Sequence, residues 1–220
     1  AIFPLPPSCC NTDTRTCCLA ALCVHTTLQN HTMSAGIKPG SKFPLGVEFR
    51  YIPLDLKTVD ARVCPRPAKL QLTSEFLAGK KIVIVSVPGA FTPTCSNAHI
   101  PDILTHLDEF KAKGIDLLLV ISNNDAFVLN AWKKDLFSHL NIPLKDTLKD
   151  DFRPKILFAS DSNTEFSKKI GYLKDSSAIG MGIRNSRYAI IIDNGIVTYS
   201  EQEVQSGVSV SGYDAILAKL

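Results

Sequence analysis

The sequence predicts an α/β fold in which helices wrap central strands and a β-hairpin closes one edge of the sheet. Three apolar runs are short enough for buried strands, at Ile82 to Val87, Ile115 to Ile121 and Ala189 to Ile192. The Asn194-Gly195 pair lies between two apolar runs, which is typical of a tight hairpin turn. With 220 residues, 45% of them hydrophobic, the chain is long enough to form one well-packed core.

The first half of the predicted fold begins irregularly and then alternates strand with helix. Gly36 to Tyr51 has prolines and glycines between short apolar pieces, which favours an irregular segment or an edge strand. Lys81 to Val87 is predicted as the first central strand. Ser96 to Lys113 follows as a helix with apolar residues at helical spacing, a bend at Pro101 and an end at Gly114.

The second half continues the alternation and ends in the hairpin. Ile115 to Ser122 is almost continuously apolar, as expected for a strand covered on both faces, and its alternation with helices implies parallel pairing. The remaining predicted elements are a helix over Ala126 to Leu136, a strand over Ile156 to Ala159, a helix over Thr164 to Ile170, the hairpin over Tyr188 to Tyr199 and a last helix over Tyr213 to Leu217. Together they predict a thioredoxin-like fold with a central mixed sheet.

The charge pattern argues against two classes of function. The 24 Lys and Arg residues nearly balance the 21 Asp and Glu residues, giving a net charge of +3 without a basic block. We therefore expect no nucleic-acid partner. No apolar run approaches the roughly 18 residues that a membrane-spanning helix needs, so we expect no membrane span.

The seven cysteines divide the chain into two parts. The first 32 residues hold five of them, Cys9, Cys10, Cys17, Cys18 and Cys23, with two formal charges and no strand or helix period. Three interpretations are open for residues 1–32: a targeting segment, a metal or disulfide knot, or translated sequence upstream of a start at Met33. Small residues after Met33 favour the third. We therefore predict a disordered or non-native extension over residues 1–32 and one folded domain over residues 33–220.

Cys95 is the leading candidate for a nucleophile, because it lies where the first central strand gives way to a helix. Unpaired backbone N–H groups and the helix dipole favour a thiolate at such a position. Thr92, three residues earlier, can turn its hydroxyl onto the thiolate and onto an incoming substrate. Pro88 is rigid and lacks an N–H, so it suits a wall that shields the thiolate from water.

The run Pro88-Gly-Ala-Phe-Thr-Pro-Thr-Cys-Ser96 carries a Pro-x-x-x-Thr-x-x-Cys motif and resembles the peroxiredoxins, in the form found in the peroxiredoxin 5 subfamily. The resemblance spans roughly Met33 to Leu220 and is strongest toward fungal alkyl hydroperoxide reductases and peroxisomal thiol peroxidases. Further matching segments are Ile115-Asp116, Asn124-Asp125-Ala126-Phe127, Ala131-Trp132, Phe158-Ala159-Ser160-Asp161 and Arg187-Tyr188-Ala189. It implies a thiol peroxidase that reduces hydrogen peroxide and alkyl hydroperoxides through a sulfenic acid on Cys95.

The resemblance also implies that Arg187 is a permanent cation that stabilises the Cys95 thiolate and donates to the peroxide oxygens. Arg184 lies nearby, and spacing alone does not separate the two. The Arg-Tyr-Ala pattern ahead of an apolar strand favours Arg187. His99, one helical turn after Cys95, is interpreted either as a general base for the thiol or as a structural hydrogen-bonding group.

Recycling of the sulfenic acid is expected to involve Cys64, in a proline-rich stretch predicted to be an exposed, mobile loop. Its placement resembles the resolving cysteine of fungal members, in which the disulfide joins two subunits, so a homodimer is expected. The alternative is a single-cysteine cycle resolved by glutathione or another small thiol. Both routes draw on an external thioredoxin or glutathione system, and neither requires a metal, flavin or haem.

The last three residues, Ala218-Lys219-Leu220, match the small-basic-Leu type of peroxisomal import signal. We expect recognition by a peroxisomal import receptor and a peroxisomal location, with the cytoplasm as the alternative. A different interpretation is that Leu217 and Leu220 complete an amphipathic helix that docks on the core.

Two other functions stay open from the sequence. A thioredoxin-like domain can be a disulfide oxidoreductase, but Thr92 occupies the place of the first cysteine of the Cys-x-x-Cys motif that this activity uses. A redox-sensing or holdase-type interaction protein would use the same reactive Cys95. Hydroperoxide-dependent consumption of a reductant distinguishes these from a peroxidase.

Overall fold

The computed structural model describes residues 36–152 and 154–220, so the predictions for residues 1–32 and the boundary at Met33 lie outside the described residues. The strands of the described residues are β1 (Glu48–Tyr51), β2 (Ala68–Gln71), β3 (Lys81–Ser86), β4 (Leu117–Ser122), β5 (Lys155–Ser160), β6 (Leu173–Asp175), β7 (Ile183–Asn185), β8 (Tyr188–Asp193) and β9 (Ile196–Gln202). The α-helices are α1 (Ser74–Leu77), α2 (Ile100–Thr105), α3 (Leu107–Ala112), α4 (Ala126–His139), α5 (Leu144–Thr147), α6 (Glu165–Lys169) and α7 (Tyr213–Leu217). A π-helical turn, Cys95–His99, precedes α2 and is called the π-turn below.

The sheet is mixed, as the sequence predicts. Within the described residues it has seven strands in the order β2-β1-β5-β4-β3-β8-β9, and β6 pairs with β7 in a separate two-stranded sheet. Strands β3, β4 and β5 are parallel, whereas β8 runs antiparallel to β3 and forms the terminal hairpin with β9. Asn194 and Gly195 turn this hairpin with φ angles of 47° and 79°, as a two-residue turn that follows strand twist requires.

Both faces of the central sheet are covered, which explains the unbroken apolar runs of the sequence. In β3, Val83 and Val85 belong to the apolar cluster that includes residues of α2, α3, α4 and α7, while Ile82 and Ile84 belong to the cluster on the other face with residues of α1 and α6. All four side chains are fully buried. Successive residues of a strand point to opposite faces, so both sets of positions must be apolar here.

The prediction of an irregular or edge segment before Tyr51 is wrong for β1. This strand pairs with β2 on one side and β5 on the other, so it lies inside the sheet. The edge belongs to β2, whose four residues Ala68–Gln71 follow a proline-rich stretch and give little strand signal. Pairing with β1 supplies the order that the local sequence of β2 does not.

The predicted continuous helix from Ser96 to Lys113 is also wrong, because the structure divides it into the π-turn, α2 and α3. Pro101 lies in the first turn of α2, where its missing N–H has no helical partner to lose. The interruption comes instead at His106, whose φ of −112° and ψ of 26° leave the helical region and whose Nδ1 lies 2.7 Å from the carbonyl oxygen of Asp102. Gly114, with φ of 74°, ends α3 as predicted.

In the described part of the chain, every helix is too short or too polar to cross a bilayer.

Candidate active site

The topology of the sheet brings Cys95 and Arg187 together. Ser86, the last residue of β3, pairs with Tyr188, the first residue of the antiparallel strand β8. Residues that follow β3 therefore lie beside those that precede β8. Although 92 residues separate them in sequence, Arg187 Nη2 donates to Cys95 Sγ over 3.4 Å, a distance at which a cation stabilises a thiolate.

Cys95 opens the π-turn and is almost completely shielded, with 1% of its surface exposed. Its carbonyl accepts a hydrogen bond from Ile100 N–H, five residues on. Widened turns of this kind are frequently found at functional sites. The thiol thus has a cationic neighbour in an environment that excludes most water. The low dielectric of that environment strengthens the interaction between the Arg187 guanidinium and the Cys95 sulfur.

The structure separates the two candidate arginines. Arg184 lies in β7, where its Nη1 donates to Asn123 Oδ1 at 2.8 Å and its Nε donates to the Met181 carbonyl at 2.9 Å. Its guanidinium is therefore committed to other groups. The arginine beside the thiol is Arg187.

The loop between β3 and the π-turn carries Pro88 and Thr92, and its bonding differs from the expectation for Thr92. The hydroxyl of Thr92 donates to the Gly89 carbonyl at 2.9 Å and makes no recorded hydrogen bond to Cys95 Sγ among the described residues. Its backbone carbonyl accepts from Ser96 N–H at 2.9 Å, which fixes the residue beside the π-turn. Pro88 lies half-buried two residues after the end of β3.

Asn124 supports this loop, a role that the sequence reasoning missed. Its Oδ1 accepts from Ala90 N–H at 2.9 Å and from the Ser122 hydroxyl at 3.0 Å. In the sequence, Asn124 belongs to a segment that matches the peroxiredoxins, with no indication of this contact. The N-cap of α4 is its neighbour Asp125, which accepts from Phe127 N and Val128 N. Its contact with the active-site loop depends on the β3–β4 pairing and carries no local signal.

His99 lies beside Arg187 with both ring nitrogens engaged. Its Nδ1 is 2.8 Å from Arg187 Nη1, and its Nε2 is 2.7 Å from the Ser211 carbonyl oxygen. A guanidinium can only donate and a carbonyl can only accept, so Nδ1 is the bare nitrogen and Nε2 carries the proton. The general-base interpretation fails because Arg187 occupies the only basic nitrogen, and the structural interpretation agrees with the geometry.

Burial lowers the pKa of His99 from 6.5 to about 4, and the charge of Arg187 acts in the same direction against a raising effect of the Ser211 bond. Between about pH 4 and 6.5, His99 is therefore protonated in the unfolded chain and neutral in the folded chain. The stability due to neutral His99 is fully present above about pH 6.5 and is lost as the pH falls toward 4, by up to about 3 kcal/mol.

We expect the free energy of unfolding to fall over this window. Urea unfolding at pH 7, 6, 5 and 4 measures it, and His99→Asn is expected to flatten the curve between pH 6.5 and 5. The control is His139→Asn, at an exposed histidine, which leaves the curve unchanged. An identical slope in wild type and His99→Asn would contradict the assignment.

Trp132 connects α4 to the π-turn. Its side chain is fully buried and its Nε1 donates to Ser96 Oγ at 2.9 Å. The ring also meets Phe158 edge to face, with centroids 5.4 Å apart. These contacts make Trp132 a buried anchor between α4 and the π-turn.

Cys64 lies in the loop between β1 and β2 and is a free thiol, as is Cys95. Asn130 of α4 donates its Nδ2 to Cys64 Sγ at 3.1 Å, and Lys134 of the same helix donates to the Ala61 carbonyl. The thiol is half-buried although the neighbouring Val63 is 81% exposed. The expectation of an exposed loop agrees with residues 60–63 and 66, whereas Cys64 itself is half-buried and its sulfur contacts α4.

The last residues extend α7 by a turn. Lys219 N–H donates to the Ile216 carbonyl, and Leu220 N–H donates to the Leu217 carbonyl at 3.3 Å. Leu220 is partly buried against the same apolar cluster as Cys95, while Ala218 and Lys219 are exposed. The docking interpretation of Leu220 agrees with this packing.

Comparison with known proteins identifies the family. The sequence model of the Redoxin family matches residues 38–217. Peroxiredoxin AHP1 of Chaetomium thermophilum is 39% identical over 187 residues, which cover 84% of this chain and 96% of that protein. A "Putative peroxisomal peroxiredoxin" of Lipomyces kononenkoae is 40% identical over 179 residues, covering 81% and 98% of the two chains.

A solved structure gives the same result. The crystal structure of reduced Prx3 from Vibrio vulnificus in complex with hydrogen peroxide aligns with a TM-score of 0.64 and 34% identity, and covers 84% of this chain and 99% of that one. These similarities favour peroxide reduction over the redox-sensing or holdase alternative. With the cysteine and arginine joined at the end of a thioredoxin-like sheet, they show that the chain belongs to the peroxiredoxins and is a thiol peroxidase that reduces peroxides.

Proposed function

We propose that Cys95 is the peroxidatic cysteine and that Arg187 is its electrostatic partner. The observation that carries this proposal is the hydrogen bond from Arg187 Nη2 to Cys95 Sγ at 3.4 Å. The thiolate attacks the terminal oxygen of a hydroperoxide, so that an S–O bond forms and the O–O bond breaks. Sulfur is oxidised to sulfenic acid, and the other oxygen leaves as an alkoxide or hydroxide that takes a proton to become alcohol or water.

Three neighbouring residues, Arg187, Thr92 and Pro88, have different roles in this reaction. Arg187 donates to the thiolate first and then to the oxygens on which charge develops, which is where fixed donors act most strongly. Thr92 accepts or donates at the incoming peroxide once its hydroxyl leaves the Gly89 carbonyl. Pro88 forms part of the wall that keeps water from the sulfur. This chemistry is carried by side chains and by a thiol reductant, without a metal, flavin or haem.

Cys64 is proposed as the resolving cysteine. Its thiol condenses with the Cys95 sulfenic acid to give a disulfide and water, and a thioredoxin or glutathione system then reduces the disulfide by two electrons. The amide of Asn130 donates to Cys64 Sγ at 3.1 Å, so α4 holds this thiol until the disulfide forms. We propose a homodimer for the oxidised form, in which a partner would cover Phe91, a residue of the loop between β3 and the π-turn that is 55% exposed.

Cys64→Ser is expected to eliminate thioredoxin-supported turnover while one equivalent of peroxide still oxidises Cys95. The reason is that the sulfenic acid forms without Cys64, whereas the described residues hold no other thiol with which it could condense. Peroxide-dependent NADPH consumption through thioredoxin and its reductase measures turnover, and mass spectrometry of dimedone-trapped protein measures the single oxidation. Full turnover by Cys64→Ser with thioredoxin would show that Cys64 is a bystander, and equal turnover of wild type and Cys64→Ser with glutathione, with none in either with thioredoxin, would establish the single-cysteine cycle.

A peroxisomal location, reached through an import receptor that reads Ala218, Lys219 and Leu220, is also proposed. It is supported by the Lipomyces relative that bears the name of a peroxisomal protein and by the type of the terminal tripeptide. A receptor that reads an extended C-terminus must first release Leu220 from its packing. Removal of these three residues is expected to return a fluorescent fusion to the cytoplasm.

A further inference from the structure

We propose that His99 is a positioning residue for peroxide reduction, which holds the guanidinium of Arg187 against the Cys95 sulfur. The proposal rests on the function proposed for Arg187. Neither the Pro-x-x-x-Thr-x-x-Cys motif nor local spacing assigns this role to His99, because the contact joins residues 88 positions apart.

The two ends of one rigid group are fixed at the same time. Arg187 Nη1 donates to His99 Nδ1 at 2.8 Å, and Nη2 donates to Cys95 Sγ at 3.4 Å. A guanidinium is planar, so two bonds through its two terminal nitrogens determine the orientation of the plane. Within the described part of the chain, loss of the acceptor at Nδ1 would leave the long bond to sulfur as the remaining side-chain hydrogen bond of Arg187.

The imidazole is in turn held from its other side. His99 Nε2 donates to the Ser211 carbonyl at 2.7 Å, and the Glu203 carboxylate fixes that loop. Glu203 Oε1 accepts from Val210 N–H at 2.8 Å, from Ser211 N–H at 2.9 Å and from the Ser211 hydroxyl at 2.8 Å. Glu203 N–H donates to the Arg187 carbonyl at 2.8 Å. These hydrogen bonds form a closed circuit, by which we mean the ring of contacts from Arg187 to His99, Ser211, Glu203 and back to Arg187.

The chemistry of this circuit suits a histidine in one protonation state only. Partial burial by itself would raise the pKa of Glu203, but hydrogen bonds from Ser209 and Ser211 lower it to about 2, so the carboxylate stays charged and the loop stays in place. A neutral imidazole then presents an acceptor to Arg187 and a donor to Ser211. His99 touches neither the sulfur nor the peroxide in this arrangement, so it acts through Arg187.

Two amide substitutions test the hydrogen bonds of the two ring nitrogens of His99 separately. His99→Asn keeps an acceptor near the Nδ1 position and loses the donor, whereas His99→Gln keeps a donor near Nε2 and loses the acceptor. We expect His99→Gln to slow single-turnover oxidation of Cys95 by hydrogen peroxide about tenfold or more, as loss of a hydrogen bond to a charged group predicts. His99→Asn is expected to stay closer to wild type.

A second readout distinguishes positioning from a merely structural role. Alkylation of Cys95 by iodoacetamide needs the thiolate but not peroxide activation, so His99→Gln is expected to slow oxidation more than alkylation. Loss of stability alone would leave the ratio of the two rates unchanged. If His99→Gln and His99→Asn both show the wild-type ratio and the wild-type oxidation rate, the proposal is overturned.

The wild-type protein supplies a test that needs no variant. Long-range proton–nitrogen NMR is expected to show a His99 imidazole with the proton on Nε2 and a bare Nδ1 at pH 7. A proton on Nδ1 would exclude acceptance from Arg187 and would overturn the proposal even if His99→Gln does not fold.

Arg187→Lys distinguishes failure of the function proposed for Arg187 from failure of the positioning role proposed for His99. If it is as fast as wild type, the function proposed for Arg187 fails, whereas slow Arg187→Lys with fast His99→Gln rejects only the role of His99.

Discussion

Cys95→Ser is expected to abolish hydroperoxide reduction, with the rate falling by roughly 10⁴-fold or more, the scale of removing a catalytic nucleophile. The hydroxyl of serine does not ionise near neutral pH and does not form a stable oxygen adduct equivalent to sulfenic acid, so no other step can compensate. Because serine is close to cysteine in size, the buried position should tolerate it.

Stopped-flow mixing with hydrogen peroxide and with an alkyl hydroperoxide measures this loss, and the thermal midpoint checks folding. Cys64→Ser is the matched control, since it removes a thiol that takes no part in the attack of Cys95 on the peroxide. This variant is therefore expected to keep the first oxidation step. Residual peroxidase activity of Cys95→Ser comparable to wild type would remove Cys95 from the reaction.

Arg187→Met is expected to slow oxidation of Cys95 by about 100-fold, which is typical for loss of one preorganised donor to a transition-state charge. Methionine fills much of the same volume but offers no charge and no N–H to Cys95 Sγ. Arg184→Met is the matched control, because that guanidinium bonds to Asn123 and Met181 and should leave the oxidation rate close to wild type.

The comparison of the two arginine variants has an additional use. Arg187→Lys keeps the charge but cannot reach His99 and Cys95 at once with a planar group, so it is expected to fall between Arg187→Met and wild type. Equal losses in Arg184→Met and Arg187→Met would show that charge near the site, and not the contact with sulfur, controls the rate.

Local chemistry made much of the fold predictable. The turn at Asn194 and Gly195 follows from their tolerance of positive φ, and β4 follows from an apolar run that only a strand buried on both faces can use. The interior position of β1 was not predictable, because it depends on its pairing with β2, which has little strand signal of its own. The interruption at His106 likewise depends on a side-chain contact with the Asp102 carbonyl.

The active site was predictable in one part only. The position of Cys95 after a buried strand indicated a reactive thiol from the residues alone, but Arg187 was selected through family resemblance, since the β3–β8 register that joins them is a long-range property. The contact of His99 with Ser211 spans 112 residues and left no trace in spacing. For Thr92, the sequence indicated the position but not the bond to Gly89 that its hydroxyl makes.

The burial of Cys95 is expected to limit the maximal rate of turnover. Cys95 is 1% exposed, so a second cysteine, which brings its own backbone, must displace what covers this residue before a disulfide can form. With Cys64 as the proposed resolving thiol, turnover is expected to contain a rearrangement whose rate does not depend on peroxide concentration. At low peroxide the rate should rise in proportion to concentration, and at high peroxide it should reach a plateau fixed by the motion of the protein.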